Sequence, residues 1–195
     1  DIENSRKYLL SSIDRDKYYS EPYGALIQNY MFYEPKSYDE AEKYANQILS
    51  YYKNESYYHV ALGDVYRGQN KLKEAAKKYD DAYKTGTNNW FSAAKAGHAY
   101  TMIDPSEARK RFDQAVNDAR STSQKIGPEY AKIYTYLHED EFQKAHTQLM
   151  KLKNNLDSYN LSEEKKQSEL SQILWHEYFI KSHTGEYDAA KIALQ

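Results

Sequence analysis

The stretch 56–83, SYYHVALGDVYRGQNKLKEAAKKYDDAY, decides the fold. It reads as two amphipathic helices joined by a tight turn. Leu62, Gly63 and Tyr66 lie before the turn, and Ala75, Tyr79 and Ala82 after it. The second set follows an i, i+4, i+7 stripe, which is one face of a helix. Two antiparallel helices need small residues where their axes approach, and Gly63 and Ala75 meet that need from opposite sides. Leu62, Tyr66 and Tyr79 then fill the flanking space. A large side chain at Ala75 is expected to cost roughly 1–3 kcal/mol by overpacking.

The same pattern recurs. Ala96, Gly97 and Tyr100 repeat Leu62, Gly63 and Tyr66 at +34, and Ala108, Phe112 and Ala115 repeat Ala75, Tyr79 and Ala82 at +33. Asp104 and Pro105 mark the start of that second helix, as N-cap and first-turn residue. Along the chain, Ala41, Ala75, Ala108, Ala145 and Ala190 form one recurring helix-contact position, at spacings of 34, 33, 37 and 45. A helix–turn–helix unit of about 34 residues with these small and large positions resembles the tetratricopeptide repeat. The resemblance covers residues 22–195 and is most specific over 56–122. It implies an all-α, right-handed superhelical array of antiparallel helix pairs, an α-solenoid. Residues 1–21 are read as a capping helix or the remnant of an earlier repeat, with a helix over 2–13. The units then run 22–55 (degenerate), 56–89, 90–122, 123–160 (elongated, first helix starting at Pro128) and 161–195, which stops inside its second helix. That last feature suggests a fragment of a longer repeat protein.

Composition agrees with helices. The chain has 195 residues, only 7 Gly and 4 Pro, and long stretches of Ala, Lys, Glu, Leu and Gln. A net charge of −2 gives no general attraction to nucleic acid, and the basic clusters at 71–78 and 109–111 are interrupted by acids. No apolar run approaches the roughly 20 residues of a membrane span. The absence of Cys excludes thiolate catalysis and leaves the compartment open, cytoplasmic or exported. Tyrosine is unusually abundant, 22 against 5 Phe, which suits half-buried helix interfaces and groove walls.

Chemistry is not expected. No two of the six histidines stand at i, i+4; His176-Glu177 begins a zinc-protease motif, but Ile180 stands where the second His is required. The acidic run His138-Glu139-Asp140-Glu141 sits at a turn, where charges are ordinarily solvated. There is no phosphate loop and no nucleophile elbow. The expectation is a non-catalytic module with no cofactor and no metal.

The resemblance implies that the first helix of each pair lines a concave face that receives a peptide. The positions facing away from the partner helix are then Tyr23, Leu26, Tyr30 and Tyr33 in the first unit; Tyr57, Val60, Asp64 and Arg67 in the second; and Phe91, Ala94, His98 and Thr101 in the third. The candidate groove is Tyr23, Tyr30, Tyr33, Tyr57, Asp64, Arg67, Phe91 and His98. A carboxylate clamp of Lys and Asn is not expected, because only Lys95 fits it. The implied function is a protein–protein interaction scaffold for a peptide or partner protein, without nucleic acid and without membrane insertion. A peptide-sensing domain attached to an effector, or a scaffold segment of a secretion or envelope assembly, are the alternatives.

Overall fold

A computed structural model of the chain describes residues 1–86 and 89–186. Its contacts divide the chain into two units, the first ending at Ile103 and the second starting at Asp104. The division falls between the two helices of the expected 90–122 repeat.

The first unit holds α1 (Ile2–Arg15), α2 (Glu21–Phe32), α3 (Tyr38–Tyr51), α4 (Ser56–Gly68), α5 (Leu72–Thr85) and α6 (Asn89–Tyr100). Helix starts are satisfied locally: the Asp1 carboxylate accepts from Glu3 and Asn4, the Ser37 hydroxyl accepts from the Glu40 amide, and Pro22 occupies the first turn of α2. Each helix packs mainly on its sequence neighbours. The core runs through Tyr23, Leu26, Ile27, Ala41, Ala45, Ile48 and Leu62, then through Ala75, Tyr79 and Ala96. Burying each of the large apolar side chains is worth about 1.5–3 kcal/mol.

The small position on α4 meets its large partner as the pattern demands. A Cβ placed on Gly63 would lie 2.6 Å from a ring carbon of Tyr79, which is itself fully buried. The recurring alanines Ala41, Ala75, Ala108 and Ala145 are all fully buried. Ala190, and with it the second helix expected after Gly185, lies outside the described residues.

The N-terminal helix is held by a residue that the apolar pattern did not reveal. Arg6 is buried, and its Nη2 donates to the backbone carbonyls of Asn29 and Tyr33, both at 2.9 Å. Its guanidinium also lies 4.5 Å from the centre of the Tyr30 ring. It thereby serves carbonyls at the C-terminal end of α2, where a cation is favoured.

The second unit holds α7 (Pro105–Asp118), α8 (Thr122–His138), α9 (Phe142–Asn155), a 3₁₀ turn (Leu156–Ser158) and α10 (Glu163–His183). Its core is Ile133, Ala145, Leu149, Leu152, Leu156 and Ile173. Asp104 and Ser162 accept from Glu107 and Lys165 as N-caps. One boundary differs from expectation: α8 begins at Thr122, and Pro128 lies inside it. The cause is a capping box, because the Gln124 side chain accepts from the amides of Arg120 and Ser121 at 2.8 and 3.3 Å and starts the helix ahead of the proline.

Three helix ends share one device. Asn70, Asp140 and Gly185 have φ of 59°, 56° and 82°. The next amide in each case reaches back five residues: Lys71 to Tyr66, Glu141 to Tyr136 and Glu186 to Lys181, at 2.8, 2.9 and 3.0 Å. This is a Schellman-type stop, which needs one left-handed residue, and Gly, Asn and Asp tolerate that conformation best.

Candidate partner-binding grooves

In the first unit, the first helices α2, α4 and α6 follow one another in sequence order, and Tyr57 on α4 is shared by three depressions along them. The largest, about 630 Å³, is lined by Tyr57, Val60 and Asp64 from α4 and by Phe91, Ser92 and Lys95 from α6, with Thr85 and Gly86 at one end. A second, of about 80 Å³, places Gln28, Met31 and Phe32 of α2 against Tyr57 and Asp64. A third, of about 390 Å³, joins Ser20, Glu21 and Gln28 to Tyr57 and Tyr58. The Tyr57 ring is 54% exposed, and its hydroxyl lies over Gly24, only 3.0 Å from where a Cβ would stand. Gly24 therefore lets the ring lean across from α4 to α2.

The remaining expected groove residues divide sharply. Phe91 and Arg67 are exposed, as Tyr57 is. His98 is exposed as well; lost hydration first, and then the positive charges of Arg67 and Lys95, hold its imidazole below the usual pKa. Asp64 lines the groove but is already engaged. It accepts from the Tyr79 hydroxyl at 2.6 Å and from Lys95 Nζ at 2.7 Å, with Arg67 at 3.8 Å. Burial, followed by the hydrogen bond to Asp64 and its charge, pushes the Tyr79 phenol far above its ordinary pKa. Lys95 also sits over the rings of Phe91 and Tyr79, at 5.1 and 5.6 Å. The one lysine that fitted a carboxylate clamp is thus committed to an internal pair.

On α2 the placement corrects the expectation. Tyr23 is fully buried; its hydroxyl donates to the Lys17 carbonyl and accepts from Gln47 Nε2, both at 3.1 Å. Tyr30 is half-buried, parallel to Tyr44 of α3 with ring centres 6.0 Å apart. Leu26 is fully buried too. These side chains turn towards α3 and Arg6, because α2 is covered by α1 as well as by α3 and buries a wider face. Tyr33 is exposed just past the end of α2, outside the three depressions. Gln28 and Phe32 hold the groove positions that Tyr23 and Tyr30 were expected to take.

The second unit has a cleft of its own that sequence reasoning missed. Between α8 and α10, about 380 Å³ is lined by Tyr134, Leu137, Phe142, Trp175, Phe179 and the imidazoles of His138, His176 and His183, with Asp140 beside them. Trp175 is 55% exposed and stacks on Phe179 at 5.8 Å and 17°. His176 is buried, with Nε2 2.8 Å from the Tyr134 hydroxyl and Nδ1 2.7 Å from the Gln172 carbonyl. The signal available in the sequence was Trp175 itself, a large ring on a helix with a broad apolar side.

Among the described residues, no group of three His, Asp or Glu side chains converges as a metal site, and no helix is long and apolar enough to cross a membrane.

No family model and no curated protein matches the chain. Solved structures do. MamA superposes with a TM-score of 0.65 at 14% identity, over 83% of this chain and 88% of that one. YrrB, described as a tetratricopeptide protein with an unusual peptide-binding site, gives 0.65 at 13% identity over 95% and 88%. BtubC from P. vanneervenii gives 0.69 at 13% identity over 98% and 85%. The helix pairs, the Gly63–Tyr79 contact and these structural likenesses agree: the chain has the all-α tetratricopeptide fold.

Proposed function

We propose that the chain is a non-catalytic protein-interaction scaffold whose first unit holds a peptide segment of a partner along α2, α4 and α6. The observation that carries this reading is Tyr57, a half-exposed ring common to three adjoining depressions with Phe91 on the next helix. Aromatic side chains at the centre of a groove supply large contact area at low entropic cost. With Asp64 and Lys95 neutralising each other, the groove selects by shape and apolar contact more than by charge. The fold is shared with YrrB, a protein described as having a peptide-binding site.

The test is selection of peptides from a displayed random library on the unaltered chain, followed by calorimetry of the best binder. The double substitution Tyr57→Ala, Phe91→Ala should weaken that peptide by about tenfold or more, the loss of two central aromatic contacts. Helicity and melting should change little, since both rings are exposed. Unchanged affinity, or a library that yields no binder, would overturn the reading.

A further inference from the structure

The cleft between α8 and α10 has a different chemistry from the groove of the first unit. Its walls are rings, its rim carries a carboxylate, and no Lys or Arg lines it among the described residues. The acidic turn 139–141 shows how that carboxylate is left over. Glu139 is paired with Arg109, and Glu141 with Lys144 at 2.7 Å. Asp140 is exposed and forms no ion pair among the described residues. It stands there for a backbone reason as well, because the turn requires a left-handed residue and Asp tolerates one. The exposed indole of Trp175 lines the same cleft as this charge and is backed by Phe179.

A cleft that holds both an exposed π system and a carboxylate in no ion pair among the described residues attracts a cation twice, through the ring quadrupole and through the charge. An apolar occupant would instead desolvate Asp140 without replacing its lost water, which costs free energy. We propose that this cleft receives a cationic side chain, Lys or Arg, of a partner protein, stacked on Trp175 with its charge turned towards Asp140. It is a binding site of the second unit, built from α8, α10 and the turn between α8 and α9.

The sequence contains two tryptophans, so Trp90→Phe leaves Trp175 as the only indole. The full chain carrying that change is titrated with acetyl-Gly-Arg-Gly-amide and with the same peptide bearing neutral citrulline. Trp175 fluorescence and the indole N–H resonance are followed. The arginine peptide should give a saturable change in the millimolar range, and the citrulline peptide should bind at least about fivefold more weakly, as loss of the cation requires. Asp140→Asn keeps a residue that tolerates the turn and removes the charge; it should weaken the arginine peptide by about three- to tenfold while circular dichroism is unchanged. No saturable change with arginine, an equal response to citrulline, or full affinity in Asp140→Asn would each overturn the proposal.

Discussion

The two clefts both lie between successive first helices, yet their charges are used in opposite ways. Between α4 and α6, Asp64 is consumed by Tyr79 and Lys95, and the charges that look available for a ligand hold the helices together. Between α8 and α10, the neighbours of Asp140 are paired and Asp140 itself is in no ion pair among the described residues. A charge near a groove informs about ligands only after its internal partners have been counted. The first groove is therefore a surface of shape, and the second a surface of rings with a carboxylate in no ion pair among the described residues.

The largest effect that could break this comparison concerns two glycines. Gly63→Leu should destabilise the chain by about 2–3 kcal/mol, because the Tyr79 ring behind it is fixed by burial and by Asp64. Gly127 on α8 has nothing within 4 Å of where a Cβ would stand, and Gly127→Ala should leave stability level or raise it by up to about 1 kcal/mol. Urea titration of both variants measures the contrast, and a neutral Gly63→Leu would refute the helix register. Lys95→Met should cost about 1–2 kcal/mol, since it strips a charge-assisted bond from a part-buried carboxylate. Asp140→Asn should change stability by less than about 0.5 kcal/mol, as an exposed group outside any ion pair described. Equal losses at the two sites would erase the distinction between a spent and a free charge.

The smallest effect is alkaline. Burial first, then the neighbouring groups Tyr51, Tyr44, Asp14 and Asp16, push the Tyr23 phenol from 10.0 to about 12. The folded state thus holds this proton more tightly than the unfolded chain does. The stability so gained is complete below about pH 10 and is lost as the pH rises through about 12. Tyr23→Phe should be less stable at neutral pH, having lost two hydrogen bonds, but its stability should fall less steeply above pH 10 than that of the unaltered chain. Guanidinium titrations across that range measure the slope, and an unchanged slope would place the alkaline sensitivity elsewhere.

Much of the packing was legible because it rests on size. Gly63, Ala75 and Tyr79 are a small–small–large set, and such sets survive translation along the chain. Tyr23 and Tyr30 were not legible for the opposite reason. A tyrosine suits a core as well as a groove, and what decided between them was cover from α1, fixed by Arg6 on the end of α2. The early start of α8 was written in Ser121 and Gln124, but Pro128 is the stronger start signal when read in isolation. Asp64 and Lys95 stand 31 residues apart, so their pairing belongs to the tertiary structure. The α8–α10 cleft escaped notice because α10 carries Leu170, Ile173, Leu174, Trp175, Tyr178 and Phe179 with no stripe to mark an outward side.

The stop shared by Asn70 and Asp140 also bears on time. Both turn the chain back within a few residues, so the helices on either side meet across a loop far shorter than the ten-residue loops that close in roughly 10–100 ns. Chains built from such near neighbours search little before they find native contacts, and they fold fast for their size. A single residue at each of these two turns, able to take a left-handed backbone, thus keeps short the loop that a helix pair must close, apart from how strongly the pair holds once formed.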